Sequence, residues 1–366
     1  LIPIVRGKSY LAIAMIYTIL FSTRALKTGK KPNTKSITDP SLGLSDVSKY
    51  YEAFWRTMGY RHSSKVPKYL NPNISGYRSK SGPNGHALVS SFLDARALPE
   101  TLIESILVLG GRQFKSLIDS TRHPSMWEFV KQNLTQLVSI IQKDRPLSYR
   151  RLSFFADKEN KVRVVGILDW FSQLSLKPLH NFLMRVLNRI PQDCTNDQGK
   201  FINLLKGQEI YYSIDLSNAT DRFPIKIIVG LLKAKLPSTY VEAWKDIMVG
   251  YPFDLKQGNV TEKLYYSVGN PMGAYSSFNS FALAHHYLLY YCCRELGKNW
   301  KELPYALLGD DIVICDELVA ERYLALLKDI GVEYSPAKTH KSKDFYEFAK
   351  RIFYKDVEVS PFPISA

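Results

Sequence analysis

The chain has 366 residues, of which 45% are hydrophobic and 23% charged. These proportions are ordinary for a globular chain and argue against a disordered one, and the length suggests about two domains. The net charge of +15 and a pI of about 9.4 point to a polyanionic partner, nucleic acid before an acidic membrane surface.

Read in order, the chain opens on Leu1 rather than Met, as if a natural N-terminus were missing. The apolar stretch Leu11 to Phe21 follows Arg6 and Lys8. It is too short to span a bilayer, which needs about 20 residues, and reads as a buried helix rather than a targeting segment. Arg61 to His86 is rich in Asn, Gly, Pro, Ser and basic residues and forms an irregular loop. The cysteines Cys194, Cys292, Cys293 and Cys315 form no C-x-x-C pair. This spacing does not suggest zinc and suits a reducing compartment. There is no internal repeat.

From about Arg150 the pattern becomes regular. Lys161 to Ile167 alternates, with Lys161 and Arg163 on one face and Val162 and Val164 on the other, as a half-buried strand does. Ile210 to Leu216 is aromatic and β-branched and predicts a second strand. Pro224 suits the first position of a helix whose apolar stripe is Ile225, Ile228, Val229, Leu232 and Leu236. Gly269 to Gly273 is a turn, and Ser276 or Ser277 starts a helix running towards Leu296. The apolar runs Pro304 to Leu308 and Ile312 to Cys315 flank Gly309-Asp310-Asp311, a hairpin signal. Glu317 to Ile330 is again helical, capped by Gly331, with a last strand expected near Val332. With the segment after Pro224 set aside as an insertion, the order is β-α-β-β-α-β, the ferredoxin-like arrangement. In such a sheet Asp215, ending the first strand, is a neighbour of Asp310 and Asp311 in the central hairpin.

Three converging carboxylates repel one another unless a cation is present, and their oxygens suit Mg2+ or Mn2+. Two such ions about 4 Å apart serve in-line phosphoryl transfer. Asp-Asp in a hairpin, taken by itself, reads first as turn chemistry, since Asp is common in turns. Its apolar flanks, and a further Asp ending another strand, favour metal, because charge between buried strands is costly unless paired or metal-bound. Lys161 and Arg163 form a basic strand face, with Lys158 a weaker neighbour. His285 and His286 point to different sides of a helix and read as structural. The tyrosines read mostly as core.

Tyr212-Ser213-Ile214-Asp215-Leu216-Ser217-Asn218-Ala219-Thr220-Asp221-Arg222-Phe223-Pro224 resembles the first palm motif of mitovirus polymerases. Gly269-Asn270-Pro271-Met272-Gly273-Ala274-Tyr275-Ser276-Ser277 is similar to their second, and Leu308-Gly309-Asp310-Asp311 to their third. Lys338-Thr339-His340 and Tyr346-Glu347-Phe348-Ala349-Lys350-Arg351 resemble the closing motifs. Asp193 to Gln198 and Ser81 to Gly85 are also similar to that family, and the motifs run in order over most of the chain.

The resemblance implies an α+β right-handed polymerase. Fingers and N-terminal region would occupy residues 1–205, and a ferredoxin-like palm residues 206–366 with a fingers insertion near 225–265. It implies an RNA-dependent RNA polymerase acting on an RNA template and product with ribonucleoside triphosphates, by a two-metal mechanism. Asp215, Asp310 and Asp311 would be the metal ligands, and Lys338 would protonate the pyrophosphate or, with Lys341 and Lys343, form a basic patch. Lys161, Arg163, Asp221, Asn218, Ser276 and Ser277 would bind the nucleotide, Asp221 by reading the ribose 2′-hydroxyl. Gly269, Gly273, Lys350 and Arg351 would lie against RNA. Related polymerases often carry an Asn one helical turn after the motif hydroxyl. This chain departs, with Phe281 there and Asn279 two residues after Ser277.

The location implied by the resemblance is the host mitochondrion, otherwise the cytoplasm, without stable membrane insertion; the oligomeric state is not legible. The chain stops at Ala366 soon after the last palm-like motif, so the expectation is a fragment or truncated copy with a reduced or missing thumb. Two rival readings are a non-catalytic RNA-binding remnant and a reverse transcriptase. Gly309 and Asp221 argue against the latter, which usually has a bulky residue before its paired aspartates and no ribose-sensing Asp.

Overall fold

The computed structural model describes residues 9–22, 33–43, 45–71, 81–86, 90–133, 146–156, 162–257 and 260–362. Lys161 and Lys158 therefore lie outside the described residues. The first part is helical: α1 (Tyr10–Ser22), the single turn α2 (Lys35–Thr38) and α3 (Tyr51–Thr57). The small hairpin β1 (Ser81–Gly82) and β2 (Gly85–His86) precedes α4 (Ser91–Ala97), α5 (Glu100–Arg122) and α6 (Pro124–Asn133). The expected buried helix is only half buried. α1 packs Ile13 on Ile352 and Val359, yet its Leu11 and Ile19 are 64% and 63% exposed. Among the described residues no helix is long and apolar enough to cross a membrane.

β3 (Arg150–Ala156) pairs with β4 (Val162–Leu168), and α7 (Trp170–Leu187) and α8 (Phe201–Leu205) lead to β5 (Tyr211–Asp215). Next come α9 (Ala219–Arg222), α10 (Ile225–Lys233), α11 (Ser238–Val249) and the hairpin β6 (Phe253–Gln257) and β7 (Val260–Leu264). Pro224 stands one position before α10, as its N-cap, not inside it. α12 (Ser277–Glu295), β8 (Tyr305–Leu308), β9 (Asp311–Ile314), α13 (Glu317–Asp329) and β10 (His340–Ser342) complete the second half. The meander β11 (Phe345–Phe348), β12 (Arg351–Tyr354) and β13 (Val357–Glu358) follows.

The central sheet has the order β10-β5-β9-β8, antiparallel throughout. With α12 and α13 as its connections, that is the ferredoxin-like topology. Both faces are covered. Tyr212 and Ile214 join the main core with α12 and α13, whereas Tyr211 packs on the other face with Val313, Tyr346 and Phe353. Double coverage explains why Tyr211 to Ile214 are all buried and do not alternate with polar residues. The last strand is not near Val332, where only an isolated bridge from Leu216 to Tyr334 forms. It is β10, the polar run His340-Lys341-Ser342 along the free edge of β5.

A second sheet has the order β4-β3-β6-β7. Its two hairpins come from distant parts of the chain and meet in parallel at one register pair, Arg151 and Asp254. The segment between β5 and α12 thus adds its strands to this second sheet. Tyr240, Tyr287, Tyr305 and Tyr323 are fully buried.

Candidate active site

Gly309 and Asp310 form the two-residue turn of the β8–β9 hairpin. Gly309 has φ of +62°, and a Cβ there would stand 2.6 Å from the Phe278 ring, so both backbone and space demand glycine. Asp311 is not in the turn but begins β9, where it pairs with Asp215 at the end of β5. The backbone N–H of Ser335 donates to the Asp215 carbonyl at 2.8 Å. That contact brings the next turn, and Lys338 with it, to the same strand end.

The turn is held from behind by His285. Its Nδ1 lies 2.8 Å from the Gly309 carbonyl and its Nε2 meets the Tyr323 hydroxyl. A carbonyl only accepts, so Nδ1 carries the proton and Nε2 accepts from Tyr323. Burial pushes the imidazole down to about 3, which keeps it neutral. His286 is equally buried and lies between Tyr305 and Asp193. Both histidines are therefore structural. His285→Phe preserves bulk but leaves the Gly309 carbonyl and Tyr323 hydroxyl unpartnered. It is expected to lower unfolding stability by about 2–3 kcal/mol, read as a lower urea midpoint at unchanged m-value.

Burial and then the charges of Asp310 and Asp215 push the Asp311 carboxyl up to about 7, partly offset by Lys338. The Lys338 ammonium sits 2.8 Å from Asp215 Oδ2. Among the described residues no three His, Cys, Asp or Glu side chains close around an ion as they stand. The Asp215 carboxylate is occupied instead by this ammonium. Crowded acids that draw in a cation, with oxygen donors only, fit Mg2+ or Mn2+.

These groups open on a cleft of about 730 Å3 whose walls include Arg163, Asp215, Asn218, Asp221, Gly273, Ser277, Asp310 and Lys338. Asp221 accepts from the Ser36 hydroxyl at 2.8 Å through Oδ2, while its buried Oδ1 has no partner among the described residues. Asn218 is left-handed, with φ of +48°, and its side chain makes no capping bond to α9. Ser277 donates to Asn270 Oδ1. Gly273 is pressed against β4, where a Cβ would meet Val165 at 2.7 Å.

Two expected contacts, those of Ser276 and Gly269, are placed elsewhere. Ser276 is in the core, accepting from Trp244 Nε1 at 2.9 Å. Gly269 leaves room not for RNA but for the chain itself, since a Cβ would lie 2.2 Å from the Thr220 carbonyl. Arg351 makes a two-pronged pair with Glu358 and stacks on Phe201. Lys350, exposed in the left-handed turn between β11 and β12, does not line the cleft. Asn279, two residues after Ser277, donates to the His180 carbonyl at 2.9 Å.

Three contributors were assigned no role from the sequence. Asn270 partners Ser277, and its place inside the Gly-Asn-Pro-Met-Gly turn was the signal available. Gly166 lets that turn dock on β4, with its N–H donating to the Met272 carbonyl at 2.7 Å. Ser36 is far away in sequence and carries no local signal.

The family model described as "Mitovirus RNA-dependent RNA polymerase" matches residues 67–366. The chain belongs to the mitovirus RNA-dependent RNA polymerase family. It is 30% identical to the RNA-directed RNA polymerase of Cryphonectria parasitica mitovirus 1 over 93% of the chain and 42% of that protein. It therefore spans less than half the length of this relative. An uncharacterized mitochondrial protein of Arabidopsis thaliana is 34% identical over 50% of the chain and 76% of its own length. Another from the same plant is 33% identical over 41% and 76%. The crystal structure of the RNA-dependent RNA polymerase of a human picorbirnavirus matches with a TM-score of 0.51 at 13% identity. That match covers 88% of this chain and 59% of the viral one. The fold is thus the α+β viral polymerase fold with a ferredoxin-like palm, and family membership sets aside the reverse transcriptase reading.

Proposed function

We propose that the chain is an RNA-directed RNA polymerase unit that adds ribonucleotides from triphosphates to an RNA 3′-hydroxyl, copying an RNA template in viral genome replication. The observation that carries this reading is the pairing of Asp215 with Asp311 beside Asp310, at the mouth of a cleft that also presents Asp221, Ser277 and Arg163. Fingers would comprise residues 1–205 and palm 206–366, the insertion near 225–265 belonging to the fingers; the β6–β7 pairing supports that division. The mitochondrial relatives support a site of action in the host mitochondrion.

Asp215, Asp310 and Asp311 would hold divalent ions. Bound there, Mg2+ or Mn2+ would acidify the attacking hydroxyl and neutralise the leaving pyrophosphate. Arg163 would pair with the triphosphate, with Lys161 alongside. Asp221 would accept the ribose 2′-hydroxyl at Oδ1, and Ser277, oriented by Asn270, would line the sugar pocket with Asn218. Lys338 would hold a proton at Nζ for the departing pyrophosphate. Gly273, packed on β4 and lining the cleft, would hold the turn that carries Asn270 and Ser277 beside template and nucleotide. Primer extension on an RNA template by the purified chain tests the reading. Metal-dependent, templated incorporation is expected. RNA binding without any extension would overturn it in favour of a non-catalytic RNA-binding chain.

RNA affinity should fall by about two orders of magnitude between about 50 and about 200 mM salt, because phosphate contacts release counterions. Fluorescence anisotropy across a salt series measures this. A flat response would mean that the excess of basic residues does not face RNA.

A further inference from the structure

The residues that precede the family match contribute a side chain to the cleft. Ile37 is fully buried, and its carbonyl accepts from both the N–H and the hydroxyl of Ser267 at 2.9 Å. Arg222 donates to the carbonyls of Asp39 and Pro40 at 2.6 and 2.9 Å. α2 is thereby clamped across α9. In this position the Ser36 hydroxyl donates to Asp221 Oδ2 at 2.8 Å. Ser36 and Asp221 both line the cleft, and the second carboxylate oxygen, Oδ1, is buried without a partner among the described residues.

We propose that Ser36 is a positioning and sugar-specificity residue, fixing the Asp221 carboxylate so that Oδ1 faces the 2′-hydroxyl of an incoming ribonucleotide. The proposal rests on the reading of Asp221 given above. The Ser36 hydroxyl is the donor that holds Oδ2 and so fixes how the carboxylate is turned about its last bond. With Oδ2 taken by Ser36, Oδ1 is an acceptor that a 2′-hydroxyl satisfies and a 2′-deoxyribose leaves unpaired, which is how a buried polar group rejects the wrong substrate. Without Ser36 the carboxylate can turn towards Arg222, whose charge already acts on it, and the preorganised acceptor is lost. The serine lies outside residues 67–366, so this part of sugar selection would be supplied by the segment leading into the matched region.

The test compares full-chain Ser36→Ala and Ser36→Thr with the unaltered protein on an RNA template-primer, using matched ribo- and 2′-deoxyribonucleoside triphosphates. For Ser36→Ala the ribonucleotide KM is expected to rise about tenfold, with the deoxyribonucleotide KM and both kcat values within about twofold. Thr should restore the ribonucleotide KM, since it keeps the hydroxyl. Equilibrium binding of the same two triphosphates to the protein on template-primer should show the same loss for the ribonucleotide alone. If Ser36→Ala leaves the ratio of specificity constants unchanged while Asp221→Ala lowers it, the role of Ser36 is refuted and that of Asp221 stands. If neither substitution moves the ratio, the reading of Asp221 fails and this inference with it. Equal losses for both sugars, not restored by Thr, would make Ser36 a purely structural contact and also overturn the proposal.

Discussion

Asp310→Asn is expected to abolish nucleotide addition while leaving the protein folded. Asp310 is exposed in a two-residue turn shaped by the left-handed Gly309 and by the bond from His285 to the Gly309 carbonyl. Asn suits turns as well as Asp does, so little folding energy is at stake. What disappears is one negative charge from the group formed with Asp215 and Asp311. If these carboxylates hold the catalytic cations, several kcal/mol of transition-state stabilisation go with it, and the extension rate should drop by about a thousandfold or more. Thermal melting of the same preparation should match the unaltered protein. A melting-competent Asp310→Asn protein that extends a primer at the original rate would remove Asp310 from the metal site.

Asp221→Asn is expected to move stability and sugar selection in opposite directions. Burial pushes the Asp221 carboxyl up to about 6, against a weaker opposing effect of the Ser36 hydrogen bond. Its unfolded value is about 4. The folded protein therefore keeps a proton that the unfolded chain has released, and stability falls as pH rises from about 4 to about 6, staying lower above that. Asn carries no such charge. The variant should be more stable by about 2 kcal/mol near neutral pH, a gain that closes as pH falls to about 4. In the same protein the preference for ribonucleotides should weaken by about a hundredfold, because an amide cannot present the same pair of acceptors to Ser36 and to a 2′-hydroxyl. Urea unfolding at several pH values, together with specificity constants for the two sugars, measures both. A variant that gains stability and keeps its sugar preference would make Asp221 a buried structural acid. The stability gain and the lost selectivity together would be a local case of the common trade-off between stability and function.

The sheet and the acidic turn were legible because their signals are local. Alternation in β4, the aromatic run in β5 and the Gly-Asp turn between two apolar runs each depend on neighbours within a few positions. β10 was misplaced because His340-Lys341-Ser342 has no apolar alternation. It is a strand only because the free edge of β5 offers backbone partners, and edge pairing writes nothing into side-chain hydrophobicity. Ser276 was misread for a different reason. A hydroxyl has the same sequence signature whether it faces substrate or is occupied internally by Trp244. Gly269 gave the right requirement, close backbone approach, but the wrong visitor: the visitor is the Thr220–Asp221 backbone. Ser36 illustrates the limit. Its partner lies across the fold, and only the folded chain brings them together.

The strand order β10-β5-β9-β8 also fixes when this protein can become itself during synthesis. β5 leaves the ribosome before both of its partners and must wait for β9 on one side and then for β10, at residues 340–342, on the other. Until then it is an apolar strand with open edges. Such non-local pairing gives a high contact order and slow folding, and leaves strand edges exposed to intermolecular association. Lys338 arrives only just ahead of β10, so the acids of the cleft acquire their counter-charge at the same late stage. Nascent chains that stop short of this point would carry all three aspartates and still lack both the second edge of β5 and the ammonium that meets Asp215.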